Sequence, residues 1–321
     1  MTDPTEPSAT PDFLNHDRPP VPHLTVPRGV QPFHLESKPV RGRLVRLGPL
    51  ADALLTRHDN PPAVNALLGE ALALTAGLST ALKFQGSFSL QAKGDGPVSM
   101  LLADCTEGGA LRGYARVEAE SLPEGEKLPA ETLLGQGYLA FTVDQGAEMD
   151  RYQGIVAIEG KSLAEMTGHY FATSEQLASR VWLAAARTEA GWRAAALILE
   201  RVATEGGMER GESGAWTSED ADAWETALAL AATVTEAELL DDNLPPERLL
   251  YRLFHAEGLV VDRPRPLSYG CRCSRSRLAS VLSGFGAEDL DHMAEDGTII
   301  MTCEFCNVGF RFERSEVQAA T

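Results

Sequence analysis

Four of the chain's five cysteines lie in two short stretches, Ser268–Arg277 (SYGCRCSRSR) and Thr302–Phe310 (TCEFCNVGF). Cys271 and Cys273 form a Cys-x-Cys pair, Cys303 and Cys306 a Cys-x-x-Cys pair, and 29 residues separate the two pairs. Four thiolates are the donor set of a closed tetrahedral Zn2+ site. In a chain with so little other cysteine, this pairing points to metal rather than to a disulfide framework. Amides turned toward the second pair of sulfurs require tight turns, and Asn307 and Gly309 tolerate the positive φ that such turns demand. Zinc holds thiols as thiolates, the form that attacks peroxide or hypochlorite. Arg272, Arg275 and Arg277 flank the first pair and would favour thiolates further. A disulfide within Cys-x-Cys closes a very small ring, so it is strained and easily reduced again.

The residues alone leave three readings open: a redox switch, a static zinc ribbon that serves protein interaction, and a thiol–disulfide oxidoreductase. Against the third, no Cys-x-x-Cys opens a helix after a strand, and zinc would block the thiols. The chain's seven histidines show no ligand spacing with one another. His292 is near the cysteines, but four thiolates already fill a tetrahedral site. Gly94-Asp95-Gly96 reads as a strand turn rather than a phosphate loop, because no helix with Lys-Ser/Thr follows.

These cysteines end a chain of 321 residues, long enough for two domains and an appendage. A formal net charge of −18 argues against nucleic acid or an anionic membrane as partner. Residues 1–32 are Pro-rich and polar with no apolar leader segment, so a disordered tail and a cytoplasmic location are expected. Ala63–Leu82, the longest apolar stretch, carries Asn65, Glu70, Thr75 and Ser79, which suits a buried helix better than a membrane span.

Between residues 33 and 204 the pattern is α+β: an antiparallel sheet packed on helices. Helices are expected over 48–59 and 61–83, the second with Asn60 as N-cap and small residues for close packing. Strands are expected over 87–93, 98–105, 111–119, 137–144 and 151–159, where alternation and Gly or Asp joints mark a meander. Ser162–Glu165 matches a capping box, and Thr188–Gly191 joins two runs as a hairpin. Residues 205–247 then hold twelve acidic residues against Arg210 alone. A linker over 206–214 and helices over 219–242 and 245–258 are expected, docked with a solvated acidic face. So much like charge also suggests a region that opens readily. Around the cysteines, short helices over 274–285 and 287–297 precede a strand, with too few large apolar residues to fold without metal.

The sequence is similar to the heat shock protein 33 family of redox-regulated 33 kDa chaperonins. The likeness runs from about Phe33 to Val317. It is carried by TALKFQGSFSLQAKGDGP (80–97), LRGYARV (111–117), GQGYLAFTVD (135–144), RYQGIVAIEG (151–160), YFATSEQL (170–177), CRC with CEFC, and AEDG (294–297). It implies a core domain (33–204), a helical linker domain (205–260) and a small C-terminal zinc-binding domain (261–321). It implies a non-enzymatic chaperone whose cysteines hold zinc when reduced and inactive. Oxidants aided by heat would form Cys271–Cys273 and Cys303–Cys306, zinc would leave, and the zinc domain and linker would unfold. The protein would then dimerise and hold unfolding clients without ATP. Three features depart from the pattern: Ala194-Ala195-Ala196 stand where a Gly-Gly pair is usual, the Pro-rich tail is extra, and Cys105 matches no switch position.

Overall fold

The computed structural model describes residues 22–80, 86–118, 120, 122, 123, 125, 127–145, 151–202 and 217–317. They form two compact units, one comprising His23–Gly270 and one the described residues from Cys271 onward.

The first unit is built on one sheet. In chain order its elements are β1 (Thr25–Leu35), β2 (Val40–Arg46), α1 (Pro49–Leu55), α2 (Pro62–Ser79), β3 (Ser87–Gly94), β4 (Val98–Thr106), β5 (Ala110–Val117), α3 (Ala130–Leu134), β6 (Gly137–Asp144) and β7 (Tyr152–Ala157). There follow α4 (Leu163–Thr173), β8 (Ser179–Thr188), β9 (Gly191–Arg201), α5 (Ser218–Ala231), α6 (Glu236–Leu240), α7 (Pro246–Phe254), β10 (Leu259–Val261) and β11 (Arg265–Tyr269). The strand order is β7-β6-β3-β4-β5-β11-β1-β2-β9-β8, with β10 paired to β1. The α+β class holds, and the pairing is antiparallel except where β11 runs parallel to β5.

Strand β9 shows why this half of the sheet needs cover on both faces. Ala194, Ala196 and Ile198 point into one apolar cluster with α1 and α2, while Ala195, Leu197 and Leu199 point into another with α5–α7. Alternation at period two thus yields a strand buried on both sides. On the first face, helix α2 is almost wholly buried. A Cβ at Gly69 would stand 2.9 Å from the Ala185 Cβ, so small residues set the close approach of α2 to β8 and β9. On the second face, Trp224, Leu239, Leu249, Leu250, Leu253 and Phe254 cover Phe33, Val40, Leu44, Leu197 and Leu199. The Phe33 and Phe254 rings stack at 5.3 Å.

Several expectations are corrected. The tail was expected through residue 32, yet Thr25–Pro32 is already strand, with Val30 fully buried. Pro27 and Gly29 disguise the strand, and a register shift between Val26 and Val30 absorbs them. Asn60 does not cap α2: Pro61 holds that position, and the Asn60 amide instead meets the Asn65 side chain at 3.4 Å. The helix expected over 219–242 is two helices, because Thr235 and Glu238 form a capping box that starts α6 afresh. Ser162 caps α4 as expected, but Glu165 returns its bond to the Lys161 N–H at 2.8 Å. The acidic helices share the sheet's unit rather than forming their own. Residues 261–269 belong with the sheet too, since β11 fills the gap between β5 and β1. The linker over 206–214 and the helix end at 81–83 lie outside the described residues.

Candidate metal centre

The second unit contains α8 (Arg275–Leu282), α9 (Ala287–Met293), β12 (Thr298–Thr302) and β13 (Gly309–Glu313). Its apolar core is small: Leu282, Leu290, Ile299, Val308, Phe310, Phe312 and Val317. Asp296 and Gly297 both take positive φ (48° and 78°) between the bridged residues Glu295 and Thr298. The Asp-Gly of AEDG is therefore a two-residue turn that feeds β12.

That small frame positions four thiols. Cys273 immediately precedes Ser274, whose hydroxyl accepts the Arg277 N–H and caps α8. Cys303 and Cys306 lie in the loop of the β12–β13 hairpin, closed by Thr302 opposite Gly309. Inside the loop the Asn307 N–H donates to the Cys303 carbonyl at 2.8 Å and the Cys303 N–H to Val308 at 3.0 Å. Asn307 takes φ 54° as expected, whereas Gly309 opens β13 without positive φ. The Cys273 amide donates to the Cys271 sulfur and the Cys306 amide to the Cys303 sulfur, one turned amide for each pair.

Cys271 Sγ lies 3.4 Å from Cys273 Sγ and 3.7 Å from Cys303 Sγ, and Cys273 Sγ lies 3.4 Å from Cys306 Sγ. All four sulfurs lie within 4.8 Å of one another, and none is in a disulfide. A tetrahedron with Zn–S bonds of about 2.3 Å has edges of about 3.8 Å, so the donor set and its size fit a divalent cation such as zinc. The thiols also compete for protons. The Cys271 thiol is held down at about 7, chiefly by its hydrogen bond with Cys273, and Cys303 is held low, chiefly by Cys271. Cys273 and Cys306 are pushed up, each chiefly by its bond to Cys271. Two thiols are pushed toward the thiolate and two away from it, a conflict that a divalent cation would resolve.

Two of the three flanking arginines, Arg275 and Arg277, contact groups other than the sulfurs. The Arg275 guanidinium lies 4.4 Å over the Phe312 ring, donates to the Arg311 carbonyl and meets Glu316 at 3.4 Å. Arg277 meets the Arg272 carbonyl at 3.4 Å. These are packing and tethering contacts. His292 stays outside the four-sulfur group, its ring nitrogen 2.8 Å from the Glu288 carbonyl. Cys105 is fully buried on β4 of the other unit, opposite Phe88 and Leu111.

The Hsp33 protein family model matches residues 29–313, which include all four cysteines. The chain belongs to the Hsp33 family. It is 44% identical over 287 residues to a 33 kDa chaperonin of Caulobacter vibrioides, covering 87% of this chain and 92% of that one. It is 38% identical over 287 residues to a 33 kDa chaperonin of Nitrosococcus oceani, covering 89% and 91%. The crystal structure of a 33 kDa chaperonin from Thermotoga maritima aligns with TM-score 0.73 over 90% of this chain and 96% of that one. At 22% identity this shows a shared fold. The four converged thiols are thus those of an Hsp33-family member. Among the described residues no helix is long and apolar enough to cross a membrane.

Sequence reasoning missed the cations that face the acidic helices: Arg28, Lys38, Arg46, Lys127 and Arg193. Arg193 stands beside an apolar strand run, Ala194–Leu199, a visible signal of buried polar duty. The partners of these cations lie too far along the chain to be read from it.

Proposed function

We propose that this protein is a redox-switched, ATP-independent holdase chaperone of the cytoplasm. The observation that carries the reading is the gathering of Cys271, Cys273, Cys303 and Cys306 within 4.8 Å, each pair on its own turn. Those four residues would hold one Zn2+, which when bound supplies the charge that keeps all four sulfurs as thiolates. On oxidation each pair of thiolates gives up two electrons and forms one S–S bond, and the four protons that peroxide reduction needs come from water. Two hydrogen peroxide molecules per chain take these up and become four water molecules. The family likeness implies Cys271–Cys273 and Cys303–Cys306. Cys273 and Cys306, 3.4 Å apart, are as close as the first pair, so disulfide mapping must decide between them.

A disulfide sulfur carries no charge to offer a cation, so the oxidised unit loses what substitutes for its missing core. With heat, the acidic helices α5–α7 then leave the sheet. Phe33, Val40, Leu44, Leu197 and Leu199 become an open apolar face for unfolding client proteins, and activated chains pair as homodimers. No nucleic acid, membrane or catalytic turnover enters this scheme.

The test is zinc content, free thiols and client light scattering on one sample, before and after hydrogen peroxide at mild heat. Loss of zinc and of about four thiols, with scattering suppressed only afterwards, is the expected result. Equal protection by the reduced zinc form, or mere precipitation on oxidation, would leave a static zinc ribbon. Steady turnover in a thiol–disulfide reductase assay would point to an oxidoreductase instead.

A further inference from the structure

The rim of the sheet face beneath α5–α7 carries cations, alongside the acids Glu70 and Glu189. Arg28 on β1 pairs with Glu247 at 2.6 Å, Lys127 with Glu236 at 2.8 Å, Arg193 on β9 with Asp242 at 2.6 Å, and Lys38 with Glu257. In each pair the sheet's side gives the cation and the helices' side the acid. Arg46 on β2, only 8% exposed, donates to the Glu238 carbonyl at 2.6 Å and to the Leu244 carbonyl, and it faces Asp241 and Asp242. A chain of net charge −18 therefore gathers cations around one apolar floor.

We infer that this face, once open, selects amphipathic helical segments with acidic flanks, and that α5–α7 are the resident example. The inference rests on the reading that these helices leave the face on activation. The floor of Phe33, Val40, Leu44, Leu197 and Leu199 supplies affinity by burial without preference for sequence. The rim supplies the preference. A segment with acidic flanks replaces the lost partners of Arg28, Lys127 and Arg193, while a basic segment meets like charge. The same rim helps the acidic segment from α6 onward stay docked, because Glu236, Asp242, Glu247 and Glu257 each meet a cation.

The test uses the oxidised full chain and a fluorescein-labelled synthetic peptide of residues 217–258. A second peptide carries Glu236→Gln, Asp242→Asn, Glu247→Gln and Glu257→Gln. The acidic peptide should bind about ten-fold more tightly at low salt, the sum of four modest ion pairs, and the advantage should largely vanish in concentrated salt. Arg28 and Lys127 are exposed enough to reverse without threatening the fold. The full chain with Arg28→Glu and Lys127→Glu should weaken the acidic peptide several-fold, and a peptide with Glu236→Lys and Glu247→Lys should recover it. Equal binding of the acidic and neutral peptides overturns the inference. Client light scattering, scored in parallel, separates the two failures. Protection without charge preference defeats this inference alone, whereas charge preference without protection defeats the holdase reading and keeps the surface.

Discussion

The four-cysteine unit and the acidic helices α5–α7 are proposed to open together, yet they are held by different forces. Among its described residues the cysteine unit has seven buried apolar residues beyond its thiols, and its two turns meet at four sulfurs that could hold a metal ion. The helices bury Trp224, Leu249, Leu250, Leu253 and Phe254 against a sheet and are clasped at their edges by cations. Removing one ligand set can therefore unfold the first. The second needs something more, such as heat, because its apolar contacts involve none of the four sulfurs. The difference explains why a chemical signal and an unfolding stress would both be required.

The largest expected effect comes from breaking the first region alone. Chelating zinc from the reduced protein, or Cys303→Ser with Cys306→Ser, removes about 10 kcal/mol of metal-linked folding. Amide protection across residues 271–317 should collapse at 25 °C while α5–α7 stay protected. If both regions lose protection together without heat, the comparison fails. Breaking the second region alone is the next test. Phe254→Ala empties a fully buried site beside Phe33 and should cost about 3–5 kcal/mol. The variant should show early proteolysis of 217–258 and protect clients while still holding zinc.

Glu70 sharpens the contrast through pH. Its carboxyl, on buried α2, is pushed up to about 7, chiefly by burial, with Lys127 and Glu236 as its charged neighbours. An acid whose folded pKa lies above its unfolded value is favoured by the fold only when protonated. Stability from this group is therefore full near pH 4.5, falls as pH rises through 7, and is lost above 8. Glu70→Gln should raise the melting free energy at pH 8 by at most about 3 kcal/mol and leave it unchanged near pH 4.5. Equal gains at both values would assign the effect to packing. The smallest effect is at the cap: Thr235→Ala should cost about 1 kcal/mol, seen as faster amide exchange in α6 only.

Much of this was legible. The four thiols announce themselves by spacing, since metal ligands must come as pairs on tight turns, and the positive φ of Asn307 follows from the same need. Strand β3 alternates cleanly because it buries one face, whereas β4, β5 and β6 each bury three residues in a row. Strand β1 was hidden by Pro27, Gly29 and Pro32, which read as loop until a bulge and an edge partner admit them. The break before α6 was written in Thr235 and Glu238, but the apolar run through Leu228, Ala231 and Val234 masked it. The role of the acidic residues was half visible. Their number suggested repulsion, and only the fold brings Arg28, Arg46 and Arg193 to them across roughly 50 to 220 residues of chain.

Strand β11 carries a consequence for how the molecule is made. It lies between β5 and β1 in the sheet order, so it is the seam between the half containing β3 to β7 and the half containing β1, β2, β8 and β9. Its residues, Arg265–Tyr269, emerge long after β1. At about 5–20 residues per second, a growing chain waits on the order of ten seconds to a minute between β1 and its seam. Throughout that interval both halves present unpaired edges, and the sheet closes only when the stretch just before Cys271 arrives. A member of a chaperone family thus passes through its own synthesis with open strands, and depends on its last sheet strand to seal them.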